Sequence, residues 1–198
     1  MATPIATANI VRQAFRFMEV TPPSSLADTS DAASDANEQY PIALNMCLEQ
    51  EDFSFARRFA ALTRANTPEG ASADPELPYF YPLPPNLLKL RKVITKNVKW
   101  RIDGIYLLSD NDGGISIRYT KEITDETRVP ATFQTAVSYQ LANLLAPTHV
   151  GSRTKRADLT SDGANALRLA IDNDAVSASA ARWDGQDDQG DWACEATR

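Results

Sequence analysis

The chain has 198 residues, 43% of them hydrophobic, and a formal net charge of −6. That length suits one domain with extensions or two small ones, and the apolar share is enough to build a core, which excludes a disordered coil. The acidic balance argues against a surface that grips nucleic acid over its whole extent, because neutralising phosphates takes clustered Lys and Arg.

Residues 5–18 place Ile5, Ala8, Val11, Phe15 and Met18 three and four apart, which predicts an amphipathic helix stopped by Pro22 and Pro23. A second helix is expected over 30–50. Ala33, Ala36, Tyr40, Leu44, Cys47 and Leu48 share its apolar stripe, and Ser30 or Asp31 can cap it. Pro41 inside that stretch predicts a kink or a break. The next residues, QEDFSFARRFAAL at 50–62, fit two periods. A helix puts Phe55, Phe59 and Leu62 on one face, whereas a strand aligns Phe53, Phe55, Arg57 and Phe59. The three aromatics are expected in the core either way. Arg57 and Arg58 suit an interface or a solvated face.

Residues 63–85 read as a long loop that packs on something else, and NLLKLRKVI returns to apolar character. Three strands follow in VKWRIDGIYLLSDNDGGISIRYTK: around Trp100 and Ile102, from Ile105 to Leu108, and at Ile115, Ile117 and Tyr119. Asp103-Gly104 marks one hairpin turn and Asp110 to Gly114 another, which predicts an antiparallel meander. Helical spacing resumes after Pro130, with Phe133, Val137, Leu141, Leu144 and Leu145 on one face and Pro147 closing the end. A last helix at 153–181 carries the weak stripe Leu159, Leu167, Ala170, Ile171 and Ala178, with Gly163 expected to interrupt it. The remainder, RWDGQDDQGDWACEATR, is rich in Gly and Asp yet holds Trp183 and Trp192. The expected fold class is α+β, mainly α: a helix bundle, a small antiparallel β-meander at about 90–121 projecting from it, and an extended C-terminal tail. The expected organisation is a single domain at 1–181 with a tail at 182–198.

Cys47 and Cys194 lie far apart and show no disulfide framework, so a reducing cytoplasm is expected. The start, MATPIATANIVRQAF, lacks the basic and apolar regions of a signal peptide, and no apolar run nears the ~20 residues that span a bilayer. The lone histidine, His149, lacks a locally activated nucleophile, although Ser138 and Ser152 exist, and it reads as a surface or capping residue. SDNDGG at 109–114 misses the glycine and glutamate positions of a calcium loop and reads as a turn. Asp184, Asp187, Asp188 and Asp191 read as solvated acids, and Arg153, Lys155 and Arg156 form too small a cluster for nucleic acid. No catalytic residue, metal site or cofactor is expected, and the chain does not read as an enzyme.

The order of motifs carries a resemblance. Tyr40 to Leu48 ends a helix, FSFARRFAAL follows from Phe53, FYPLPPNLLKLRKV from Phe80, WRIDGIYLL from Trp100, and PATFQTAVSYQLANLLA from Pro130. Together with an alanine-rich last helix and an aromatic-bearing tail, this order resembles the head–tail connector (adaptor) proteins of tailed bacteriophages, of the tail tubular protein A and gene transfer agent types. Phe53 stands where that pattern often has tryptophan.

The resemblance implies a structural virion protein of the neck, assembled in the host cytoplasm into a ring of usually twelve copies. Its partners would be the portal protein above, a downstream tail or stopper (nozzle) protein below, and copies of itself. Double-stranded DNA would pass through without specific binding, favoured by an acidic wall. Under that resemblance Phe55 and Phe59 face inward, while Arg57 and Arg58, with Tyr79 and Tyr81, meet a neighbouring subunit; residues 67–74 stay exposed. Trp183, Trp192 and Arg198 in the tail would dock on the portal. The alternatives are a stopper or tail-completion protein of the neck, or a small cytoplasmic enzyme with an unrecognised site.

Overall fold

A computed structural model describes residues 5–67, 74–125 and 129–177. Among these residues it contains helices α1 (Ile5–Phe17), α2 (Asp31–Gln50), α3 (Ala131–His149) and α4 (Arg153–Ser177). Six strands lie between α2 and α3: β1 (Arg57–Leu62), β2 (Tyr79–Pro82), β3 (Leu87–Val93), β4 (Trp100–Asp103), β5 (Tyr106–Ser109) and β6 (Ile115–Lys121). The class is α+β, mainly α. The chain divides into two compact units, Met1–Ala43 with Thr127–Arg198, and Leu44–Glu126.

In the helical unit α3 packs against both α1 and α4. Its buried residues are Phe133, Ala136, Val137, Ser138, Leu141, Ala142, Leu145 and Ala146. Four of the eight are Ala or Ser, and these small side chains let neighbouring helices approach closely. On α1 the buried set Ile10, Val11, Ala14 and Phe15 follows the three-and-four spacing of the sequence. The Ser30 hydroxyl accepts the Ala33 N–H at 3.3 Å and caps α2 as its sequence predicts. Pro41 does not break α2. It lies on the exposed side next to Ile42, where the Asn37 carbonyl that loses its donor can be solvated.

Gly163 does not interrupt α4 either. A Cβ at this position would stand 2.9 Å from Asn143 Nδ2 and 3.4 Å from Tyr139 Cβ, so the glycine permits a close approach of α4 to α3. Residues 178–181, expected as the end of this helix, lie outside the described residues.

The second unit holds two three-stranded antiparallel sheets, ordered β1-β6-β3 and β2-β5-β4. Leu62, Tyr81, Leu107, Ile115, Ile117 and Tyr119 form their shared core, with Leu83, Leu87 and Leu90 packed against it. The three strands expected in the 98–121 region all exist, but they do not form one meander. β4 and β5 pair as a hairpin through Asp103-Gly104, with Gly104 at φ 57°. β6 leaves that sheet and becomes the centre of the other, between β1 and β3.

The reason lies in side chains distant in sequence. On β6, Ile115, Ile117 and Tyr119 alternate inward, while Arg118 and Thr120 on the opposite side meet Asp52 and Arg91. A central position satisfies both faces. The loop expected at 63–85 contains β2, and residues 57–62 are strand, so the two-residue period holds from Arg57 onward, whereas residues 54–56 form a turn.

Candidate functional site

The Phe-Arg stretch is built around one carboxylate. Asp52 Oδ2 lies 3.2 Å from Arg57 Nε and 3.1 Å from Arg118 Nε. Arg57 also donates from Nη2 to the Asp52 carbonyl at 2.7 Å. Arg57 thus pairs within its own unit while its side chain stays partly exposed. Arg58 remains exposed, its Nη1 donating to the Arg57 carbonyl.

The aromatics divide in a way the helical reading misses. Phe53 is fully buried and Phe55 lies beside it with ring centroids 5.4 Å apart, but Phe59 is 65% exposed. Phe59 therefore faces outward, because its strand position alternates with Ala60 and Leu62, which take the core side.

Tyr79 and Tyr81 sit on one face of β2 and turn toward the shared core, with Phe80 on the other face against Leu77 and Leu108. Tyr81 is fully buried, and its hydroxyl reaches the Asn111 and Gly113 carbonyls. Burial pushes its pKa up. It fastens the Asp110–Gly114 turn from beneath. Tyr79 is half-buried under the Arg64 guanidinium, 4.3 Å from its ring centroid.

In the SDNDGG turn the oxygens are engaged locally. Asp110 Oδ1 accepts the Lys99 N–H and Asn111 Oδ1 the Gly113 N–H, the arrangement of a side-chain-stabilised turn. Among the described residues, no group of three or more His, Cys, Asp or Glu is placed to hold a metal ion. No described helix is long and apolar enough to cross a membrane.

His149 lies near the end of α3, with Nε2 3.0 Å from Asp35 Oδ2 and its ring edge-on to Phe15 at 5.8 Å. Of the two serines weighed as nucleophiles, Ser138 is buried with its hydroxyl bonded to Gln134 O and Gln13 Oε1. Ser152 Oγ accepts the Lys155 N–H as the cap of α4. Cys47 is buried, and its thiol is pushed up to about 12 by desolvation, which leaves it inert. Trp183, Trp192 and Arg198 lie outside the described residues.

No protein-family model matches the chain, and no curated protein matches it.

The feature that sequence reasoning missed is a groove of about 620 Å³ in the strand unit, lined by Leu83, Pro85, Leu87, Leu88, Ile102 and Ile105 among others. On one side runs β3, paired only to β6; on the other stands the β4–β5 hairpin. Every residue of β4 is exposed, and its outer edge pairs with no other strand of the described sheet. Trp100 and Ile102 are both more than two-fifths exposed, and Ile105 is 70% exposed. The signal in the sequence was the run PLPPNLLKL, more apolar than a half-buried strand needs. The lining of the groove is largely apolar. Nothing in its lining is arranged for bond-making chemistry.

Proposed function

We propose that this chain is a structural subunit of a head–tail adaptor ring in a tailed bacteriophage or related particle. In this role it binds the portal, contacts its own copies, and seats the next tail or stopper protein around the DNA conduit. The observation that carries this reading is the set of large apolar side chains left exposed on both units, Ile102 and Ile105 among them lining the groove. Phe59, Trp100, Ile102 and Ile105 stand exposed on the strand unit, and Leu169 and Val176 on α4. Exposed apolar side chains clustered around a groove mark surfaces that a partner covers. A ring subunit, which meets a neighbour on two different faces, has use for two such surfaces.

The motif order supports the same reading, as does the net charge of −6, since a conduit wall of like charge to DNA repels phosphate. Genetic depletion tests it. Particles assembled without the chain should accumulate as DNA-packaging heads that carry no tail, and complementation should restore tails. Normal tailed, infectious particles in its absence would reject the reading.

A further inference from the structure

We propose that the groove of the strand unit is a socket for a second copy of this chain, and that the segment entering it is the C-terminal half of α4. On α4, Asp162, Asn165, Leu169, Asp172 and Val176 recur at intervals of three and four residues, and all five are exposed. They form one stripe on the helix surface, well round from the face that buries Leu159, Ala166 and Ala170. Leu169 is 64% exposed and Val176 73%, an arrangement that costs solvation unless something covers it. Two apolar anchors two turns apart on one face, with Asp172 between them, are the pattern of a helix that lies in an apolar groove.

The groove is apolar, and the segment that borders it is basic. The lining is aliphatic, from Leu83, Leu87, Leu88 and Ile105, with Lys89, whose Nζ reaches the Glu49 carbonyl, at its side. From Asn86 to Ile102 the chain carries Lys89, Arg91, Lys92, Lys96, Lys99 and Arg101 and no acidic residue, in a protein whose net charge is −6. Arg91 is turned inward and Arg101 is paired with Asp74, but Lys92, Lys96 and Lys99 are exposed. The stripe on α4 carries Asp162 and Asp172, opposite in sign to the lysines of this segment that borders the groove. Such complementarity steers two surfaces together and fixes their register.

Because the two patches differ, the contact is head to tail. Repeated, it closes into a ring or runs on as a filament. The socket deepens the ring reading and rests on it only for the closure of the ring, since the two exposed surfaces exist whether or not a ring forms.

The test is a disulfide trap with the full chain. One preparation carries Ile105→Cys and another Leu169→Cys, both with Cys194→Ser; the buried Cys47 thiol stays unreactive. Both positions are exposed, so the fold is undisturbed. The preparations are mixed with oxidised glutathione. The expected result is a mixed disulfide at least fivefold above either same-variant product, reduced at least threefold by Asp172→Lys and by high salt. Mixed product no more abundant than the same-variant products, or trapping indifferent to Asp172→Lys, overturns the socket. If the trap fails while particle necks contain the chain, the contact is wrong and the adaptor reading stands. If the trap succeeds while necks lack the chain, the reverse holds.

Discussion

The Arg91 guanidinium donates to the Leu48 carbonyl at 2.7 Å, and through the same nitrogen to the carbonyl of Glu51, closing the C-terminal end of α2 from a strand forty residues away. Its Nε donates to Thr120 Oγ1 at 2.7 Å, and Lys89 Nζ reaches the Glu49 carbonyl at 2.7 Å. The last turn of α2 has no basic residue of its own, so β3 supplies the cations that the carbonyl end of the helix attracts.

Arg91→Ala leaves these carbonyls and Thr120 without their donor and should cost roughly 2–3 kcal/mol in urea denaturation, the range for hydrogen bonds to a charged group. Arg91→Lys should recover little, because a single ammonium cannot present the planar fork that meets all three oxygens. Full recovery by lysine would show that charge alone matters here.

Phe53 and Phe59 should part company under substitution. Phe53→Ala empties a fully buried site and should cost about 3–5 kcal/mol, whereas Phe59→Ala should stay within about 0.5 kcal/mol in the isolated chain. Comparable losses at the two positions, measured by denaturant midpoint, would contradict the outward placement of Phe59.

Gly163 distinguishes close packing from mere tolerance. In Gly163→Ala the new methyl displaces only the end of the Asn143 side chain, and the gain in helix propensity, about 1 kcal/mol, offsets much of the cost. Gly163→Leu must also move the Tyr139 Cβ and should destabilise by roughly 1–3 kcal/mol. Thermal denaturation that ranks leucine level with alanine would remove the close approach of α3 and α4.

Tyr81 gives a pH dependence. Its hydroxyl pKa is raised in the folded chain, chiefly by burial, so the folded state holds this proton more tightly than the unfolded state. The stabilisation is fully present below the unfolded value of about 10 and is lost as pH rises beyond it. Tyr81→Phe should lower stability by about 1 kcal/mol at neutral pH through the lost hydrogen bond, and should flatten the decline above pH 10. An unchanged alkaline profile in Tyr81→Phe would assign that decline to other groups.

Much of the helical unit was legible in local spacing. The stripes of α1, α2 and α3 are periodic, and Ser30 marks the start of α2 where the sequence says it should. Pro41 and Gly163 misled because their costs depend on surroundings: an exposed carbonyl in one case, a neighbouring helix in the other. The strands of the second unit were legible singly, but pairing is a long-range property. Nothing within 98–121 shows that β6 belongs beside Arg57–Leu62 and Leu87–Val93. The groove escaped notice for the same reason, since it exists only where residues 83–90 and 102–105 come together. Asp52 lies only five residues before Arg57, but that Arg118 shares the same carboxylate is visible only once β1 and β6 are paired.

The most direct test of the adaptor reading is electron cryomicroscopy of the particle neck, with rotational averaging and the chain identified by its density. The account predicts a closed ring of this α+β fold between portal and tail, each copy's groove beside Ile105 covered by its neighbour. A neck of complete density into which this fold cannot be placed would contradict it.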